Sequence, residues 1–267
     1  MRGILLALIG ITAVMETYSQ NAGGDRQPVA AGRFYLSDKA QLTKNISELY
    51  SNCKKNKENW KVRAIISPHA GYVFSGKTTA AAFSSIPASS SYRNIFVIGS
   101  SHVMAFEGAS VYSSGDYLTP LGTATVNKEL AKKIIASDRV FNFPENAHQK
   151  EHSIEVQIPL MQYYFKDLPP IVPVIIGTGN TSTVRRIAEA LKPYFNKENL
   201  FVISSDFSHY PPYREAIAAD SETAKGIISG NPDTFLSILE KNESRHVPGM
   251  ATSMCGWTSG LMLLYLS

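Results

Sequence analysis

Cysteine is nearly absent from this chain: its 267 residues include only two, Cys53 and Cys255. That excludes a disulfide framework as the source of stability. A single bridge would be open to an exported protein, but the two settings differ. Cys53 ends a charged, helix-like segment, whereas Cys255 follows Thr-Ser-Met and opens an apolar stretch, so two free thiols with different fates are expected. Internal repeats and low-complexity tracts are missing, as is any Pro/Gly/Ser linker long enough to divide the chain. One domain over residues 27–267 is therefore expected. Charge of one sign is also thin, with 26 Lys and Arg against 22 Asp and Glu. The densest basic runs, Lys54-Lys55 with Lys57 and then Arg185-Arg186, carry no interleaved aromatics, which argues against a nucleic-acid partner. No apolar run approaches the roughly 20 residues of a membrane span.

What is present begins with a short leader-like start. Arg2 precedes an apolar run, GILLALIGITAVM (3–15), and small residues at Thr17 and Ser19 are spaced like a cleavage site. A buried N-terminal helix is the plainer alternative. The expectation is an export signal over residues 1–20, a periplasmic or secreted protein, and no membrane anchor in the mature chain. Beyond it, a hydrophobic content of 44% is enough for a sizeable core.

Apolar runs and amphipathic stretches alternate. Short β-rich runs are expected at VRAIIS (62–67), NIFVIG (94–99), IVPVII (171–176) and NLFVIS (199–204), with a further strand and turn between Glu107 and Leu121. Helical spacing covers 36–50, 77–85, 127–137, 152–165, 183–194, 216–229, 232–241 and 255–266, with Ser37 or Asp38 capping the first of these. The alternation predicts an α/β fold with a central mixed, largely parallel sheet flanked by helices.

Three of the apolar runs lead straight into a polar cluster that contains a histidine: His69, His102 and His209. Ligands of open α/β sheets bind beyond the carboxyl ends of the strands, so parallel neighbours would converge these rings on one crevice. Asp206 stands three residues before His209, where a carboxylate can orient an imidazole or, more plainly, cap a turn. Cys255 opens the last helical stretch, where a helix N-terminus favours a thiolate and hence a soft metal ligand; a buried inert thiol is the plainer reading. His148-Gln149-Lys150-Glu151-His152 spells H-x-x-E-H, an inverted zinc-peptidase signature. Pro144 and Asn146 lie too close upstream for His148 to sit inside a helix, which counts against a zinc hydrolase. The alternative is that His152 and Glu155, one turn apart, both reach the cleft from its rim.

Six segments in order, AGRFY (31–35), SPHAGYVFSG (67–76), VIGSSH (97–102), EHSIEVQIPLM (151–161), ISSDFSHY (203–210) and MCGW (254–257), resemble the signature of the Memo family, whose prokaryotic members are also called AmmeMemoRadiSam system protein B. The resemblance implies a fold like that of the class III extradiol ring-cleaving dioxygenases. It implies a metal pocket of His69, His102 and Cys255, with Asp206 and His209 lining it and His209 as acid/base. Iron or copper is favoured and zinc remains open, because a thiolate replaces the carboxylate of the dioxygenase ligand set. Ring cleavage itself does not follow from the fold. The implied function is a metal-dependent redox protein of unknown substrate, or a non-catalytic module holding a peptide or metal in the same pocket. The implied partners are a small molecule or peptide and other AmmeMemoRadiSam system proteins. The family usually continues into a final strand near a Gly-Tyr pair, which this sequence, ending at Ser267, does not include.

Overall fold

The structure, a computed structural model, describes residues 24–54, 56 and 60–267. The expected export signal lies outside them. Four apolar runs become parallel strands of one five-stranded sheet: β1 (Ala64–Ser67), β2 (Asn94–Ser100), β6 (Ile171–Ile176) and β7 (Asn199–Ser204). The order is β1-β7-β2-β6-β3, with β3 (Ala109–Val111) antiparallel at one edge. A separate hairpin pairs β4 (Tyr117–Thr119) with β5 (Gly122–Ala124). The mixed, largely parallel sheet flanked by helices is the architecture read from the sequence.

The period-2 geometry of a strand explains why these runs are apolar throughout rather than alternating. In β2, Ile95 and Val97 enter one core, packed with Leu42, Ile46, Phe83 and Ile154, while Phe96 and Ile98 enter the other, packed with Val184, Ile187, Phe235 and Leu261. The same split divides Leu200 and Val202 from Phe201 and Ile203 in β7. Helices α1 (Lys39–Ser51), α2 (Tyr72–Ser84) and α4 (Gln157–Phe165) cover the first face. Helices α3 (Lys128–Ser137), α5 (Thr181–Leu191), α7 (Pro232–Ser244) and α8 (Trp257–Leu266) cover the second, and α6 (Tyr213–Ile228) packs on α7. Each fully buried Ile, Leu or Phe contributes roughly 1.5–3 kcal/mol, so the two cores dominate the stability. Phe96 and Phe201 stack across β2 and β7 with centroids 4.5 Å apart.

Side-chain caps start the helices where the sequence carries them. Asp38 accepts from Gln41 N, Asn127 from Leu130 N, Asn180 from Ser182 N and Thr183 N, and Asn231 from Thr234 N. Three boundaries differ from expectation in ways that matter. α2 begins at Tyr72, immediately after the His69 cluster, rather than at 77. α4 begins at Gln157 and not at 152, so Pro159 falls in its first turn, where no amide hydrogen is needed. α8 begins at Trp257, which leaves Cys255 in the preceding loop and corrects the picture of a helix-start thiol.

Candidate metal centre

β1, β7 and β2 are parallel neighbours in register, with Ser67 beside Ser204 and Ser204 beside Gly99. Their chains therefore leave the sheet at one level. His69 follows β1, Asp206 and His209 follow β7, and His102 follows β2. The convergence expected from the strand ends is what the backbone delivers. The rings of His69 and His102 meet edge to face with centroids 4.9 Å apart.

Cys255 arrives from 50 residues beyond Ser205 through contacts between two loops. His209 N donates to Thr252 O and Ala251 N donates to His209 O, both at 3.0 Å. Cys255 N donates to Asp206 O at 3.3 Å, and Gly256 N to Ser205 Oγ at 2.8 Å. Position 256 admits only glycine without a shift, because a Cβ there would stand 2.6 Å from Ser205 Cβ and 2.8 Å from Ser204 O. The loop pairing sets Cys255 Sγ 3.4 Å from His69 Nε2. One donor atom each from His69, His102 and Cys255 lies within 4.8 Å of the others. Asp206, His209 and Cys255 satisfy the same criterion, so the thiol belongs to both groups.

The chemistry of the donor set fits a metal ion. Bond lengths of about 2.3 Å to sulfur and 2.0–2.1 Å to imidazole nitrogen place tetrahedral S and N donors about 3.5 Å apart. The observed 3.4 Å separation agrees with that value. The thiol is also prepared to ionise. Burial opposes its ionisation, but hydrogen bonding to His102 and His69 outweighs it and pulls Cys255 down to about 6. Burial likewise disfavours the charged form of His102, and the thiolate and Glu151 reverse that, raising it to about 10. The two shifts describe one coupled pair, an imidazolium beside a thiolate.

Asp206 serves the backbone before it serves a ring. Its Oδ1 accepts from His69 N at 2.8 Å and Ala70 N at 3.0 Å, which ties β7's loop to β1's. Its Oδ2 stands 3.9 Å from His69 Nε2 and 3.8 Å from His209 Nε2, near enough for Coulombic attraction and too far for a hydrogen bond. The expected role of Asp206 as orienter of His209 is therefore corrected. His209 Nδ1 donates instead to Phe207 O at 3.0 Å. His152 joins the site as a third ring, with centroids 5.3 Å from His69 and 4.9 Å from His102, and it rests on Phe34 at 4.5 Å. Burial, followed by Coulombic interaction with the neighbouring His69, pushes His152 down to about 4, so it is neutral at ordinary pH.

The H-x-x-E-H reading is overturned. His148 ends a short 3₁₀ turn, is fully buried, and uses both ring nitrogens elsewhere, Nδ1 with Tyr117 Oη at 2.7 Å and Nε2 with Ser110 O at 3.2 Å. It joins no donor group with His152 or Glu151 among the described residues. Glu155 does not face the cleft either. Its carboxylate pairs with buried Arg26 and accepts from Tyr35 Oη and Ala30 N. Residues 151–152 are irregular and 153–156 form a turn ahead of α4, so His152 and Glu155 do not share a helix face.

Sequence reasoning also missed the partner of His102. Glu151, 1% exposed, accepts from His102 N at 2.6 Å and faces His102 Nδ1 at 3.1 Å. Burial raises its pKa, and hydrogen bonds from His102 outweigh this and bring it to about 2. The only local signal for this pairing is an acidic residue next to a histidine, Glu151-His152, inside the H-x-x-E-H pattern. Val73, Phe74, Val103, Met104, Tyr210 and Tyr213, which follow the histidine clusters in the chain, stand exposed.

The site and sheet define an α/β protein with a candidate metal centre of two histidines and a cysteine at its strand ends. A family model described as Memo-like protein matches residues 26–267, and the chain belongs to the Memo family. A MEMO1 family protein of Thermoplasma acidophilum is 32% identical over 240 residues, covering 90% of this chain and 85% of that one. One from Thermoplasma volcanium is 31% identical over 246 residues, covering 91% and 86%. A solved structure of an uncharacterized Escherichia coli K12 protein shares 14% identity at a TM-score of 0.42, over 69% of this chain and 77% of that one, a likeness too slight to bear on the fold.

Proposed function

We propose that this chain is a metal-dependent redox protein whose ion is held by His69, His102 and Cys255. The observation that carries the reading is the convergence of these three donor atoms within 4.8 Å, with a thiol already pulled toward its anion. A bound iron or copper ion would supply electron transfer and an open position for substrate, and zinc would supply Lewis acidity alone. The mixed nitrogen and thiolate set suits copper, iron and zinc, and the redox reading takes iron or copper among them.

The chain's own groups would handle protons and placement. With Nδ1 engaged by Phe207 O, His209 keeps Nε2 for a substrate proton, and Asp206 Oδ2 steadies the positive charge that results. His152, neutral and resting on Phe34, supplies a second imidazole beside the rings of His69 and His102. The exposed apolar side chains next to the histidine clusters would form a rim that seats the hydrophobic part of a small molecule or a peptide side chain. That rim also supports a second reading, a peptide-binding module without turnover. An exported location, read from residues 1–20, would place the thiol under oxidising conditions.

Metal analysis of purified protein, followed by oxygen uptake and copper-reduction assays, tests the reading. One iron or copper per chain, lost in Cys255→Ala and His69→Ala, is the expected result. Metal content unchanged in those variants would sink it. Saturable peptide binding with no product in a broad screen would leave the binding module standing.

A further inference from the structure

We infer that the segment Glu151 to Gln157 is the positioning element of the metal centre, setting the ring tautomer of both histidine ligands so that each offers Nε2. The inference rests on the metal reading above and goes further, since it assigns new roles to Glu151, Ser204 and Gln157.

On the His102 side the argument is one of donors and acceptors. The Glu151 carboxylate already accepts a backbone amide on each oxygen, so it meets the His102 ring as an acceptor. Its Oε2 takes His102 N, and its Oε1 takes Ser153 N at 3.0 Å and faces His102 Nδ1 at 3.1 Å. The hydrogen must then lie on His102 Nδ1, and the lone pair available to a metal is that of Nε2. Glu151 pins the main chain and ring of the same residue, so neither can turn without the other.

The His69 side reaches the same result through a hydroxyl. His69 Nδ1 lies 2.9 Å from Ser204 Oγ. That hydroxyl spends its single hydrogen on Ser153 O at 2.7 Å and accepts from Gln157 Nε2 at 2.9 Å. It can only accept from His69, so Nδ1 carries the hydrogen here too and Nε2 faces Cys255. Gln157 Nε2 is itself fixed by Pro68 O at 2.9 Å and Ser67 O at 3.3 Å. Every partner in both chains is either on the segment or pinned by it.

The bed and the strap beneath the segment explain how loop residues achieve this. Gly99 leaves room for Ser153, whose Oγ would stand 2.5 Å from a Cβ at position 99. Arg26 ties the other side, donating to Glu151 O at 2.6 Å and His148 O at 3.1 Å and pairing with Glu155. A turn held at this many points acts as a rigid jig for the rings above it.

Two measurements test the inference together: competition titration of zinc against a chromophoric chelator, and imidazole nitrogen–proton correlation spectra of the zinc-loaded protein. The wild type is expected to bind one zinc, with His69 and His102 both protonated at Nδ1. Glu151→Gln keeps the shape but turns an amide NH₂ toward a donor, so it should lose about 10–100-fold in affinity and shift or lose the His102 Nδ1 proton signal alone. Ser204→Ala should disturb the His69 signal alone, with a smaller loss. Full affinity in Glu151→Gln, or a wild-type spectrum with either ligand ring protonated at Nε2, would overturn the inference while leaving the metal centre intact. The second of these outcomes needs no variant to fold. A wild type that takes up no metal would overturn the metal reading itself.

Discussion

His69 and His102 look alike in the sequence, each closing an apolar strand, yet the walls behind them are of opposite kinds. His102 leans on an ionised, buried carboxylate. His69 leans on a neutral hydroxyl, within a box made of Ser204, Gln157 and backbone carbonyls. A carboxylate raises the basicity of the ring it holds, and a hydroxyl mainly aims it. If the site binds a metal as proposed, it would have one strong and one merely well-directed nitrogen ligand, with Cys255 completing the set. What separates the two is not strand position but what packs against the ring from elsewhere in the chain.

The largest effect should come from the strap that holds the carboxylate wall. Arg26→Met would leave Glu155 buried without its cation, and losing one partner of a buried pair costs about 3–5 kcal/mol. Denaturant unfolding is expected to show that loss, and zinc-loaded spectra should show His102 disturbed more than His69. Equal disturbance of the two rings would break the contrast between the walls. Next in size, Cys255→Ala removes the donor that both rings share, so metal affinity should fall by more than the ~100-fold upper range of changes in supporting residues.

Acidity sharpens the same contrast. Without metal, His102 holds its proton up to about 10, and Cys255 is a thiolate above about 6. Binding through these atoms expels one proton in the window between those values and a second below it. Apparent affinity should therefore rise about tenfold per pH unit above 6 and fall about twice as steeply below 6. Titrations between pH 5 and pH 8 would show this, and a flat profile would remove His102 from the ligand set. The smallest effect is expected on the hydroxyl side. Asp206→Asn keeps an acceptor for His69 N and Ala70 N, so zinc affinity should change by less than about tenfold. A larger loss would mean that Oδ2 contributes directly as a donor.

Much of this arrangement was legible before any fold was known. Two runs, IVPVII and NLFVIS, occupy the strands they were assigned, because residues buried on both faces of a parallel sheet must be apolar without interruption. The histidines at the strand ends followed from the same fact, since parallel neighbours in register release their chains at one level. The helix caps were legible where Asp or Asn stood ahead of an amphipathic stretch. Residues 151–156 were not. Their spacing fits a helix, but Arg26, Ser204 and the ring of His102 hold them in an irregular stretch and a turn through bonds that span 49 to 125 residues. Local propensity carries no information about such partners.

The sequence by itself determined the layered fold, the edge of the sheet where a site would form, and the residue types able to bind a soft metal there. These depend on periodicity and composition, which are local properties of the chain. Only the tertiary structure decided that Cys255 reaches His69 through a loop pairing with 209 and 252, that His148 is turned away into the core, and that Glu151 is a support for His102 in place of a peptidase base. Those outcomes rest on which buried polar group meets which distant donor, and burial of a charge or ring nitrogen is tolerated only where that partner is found.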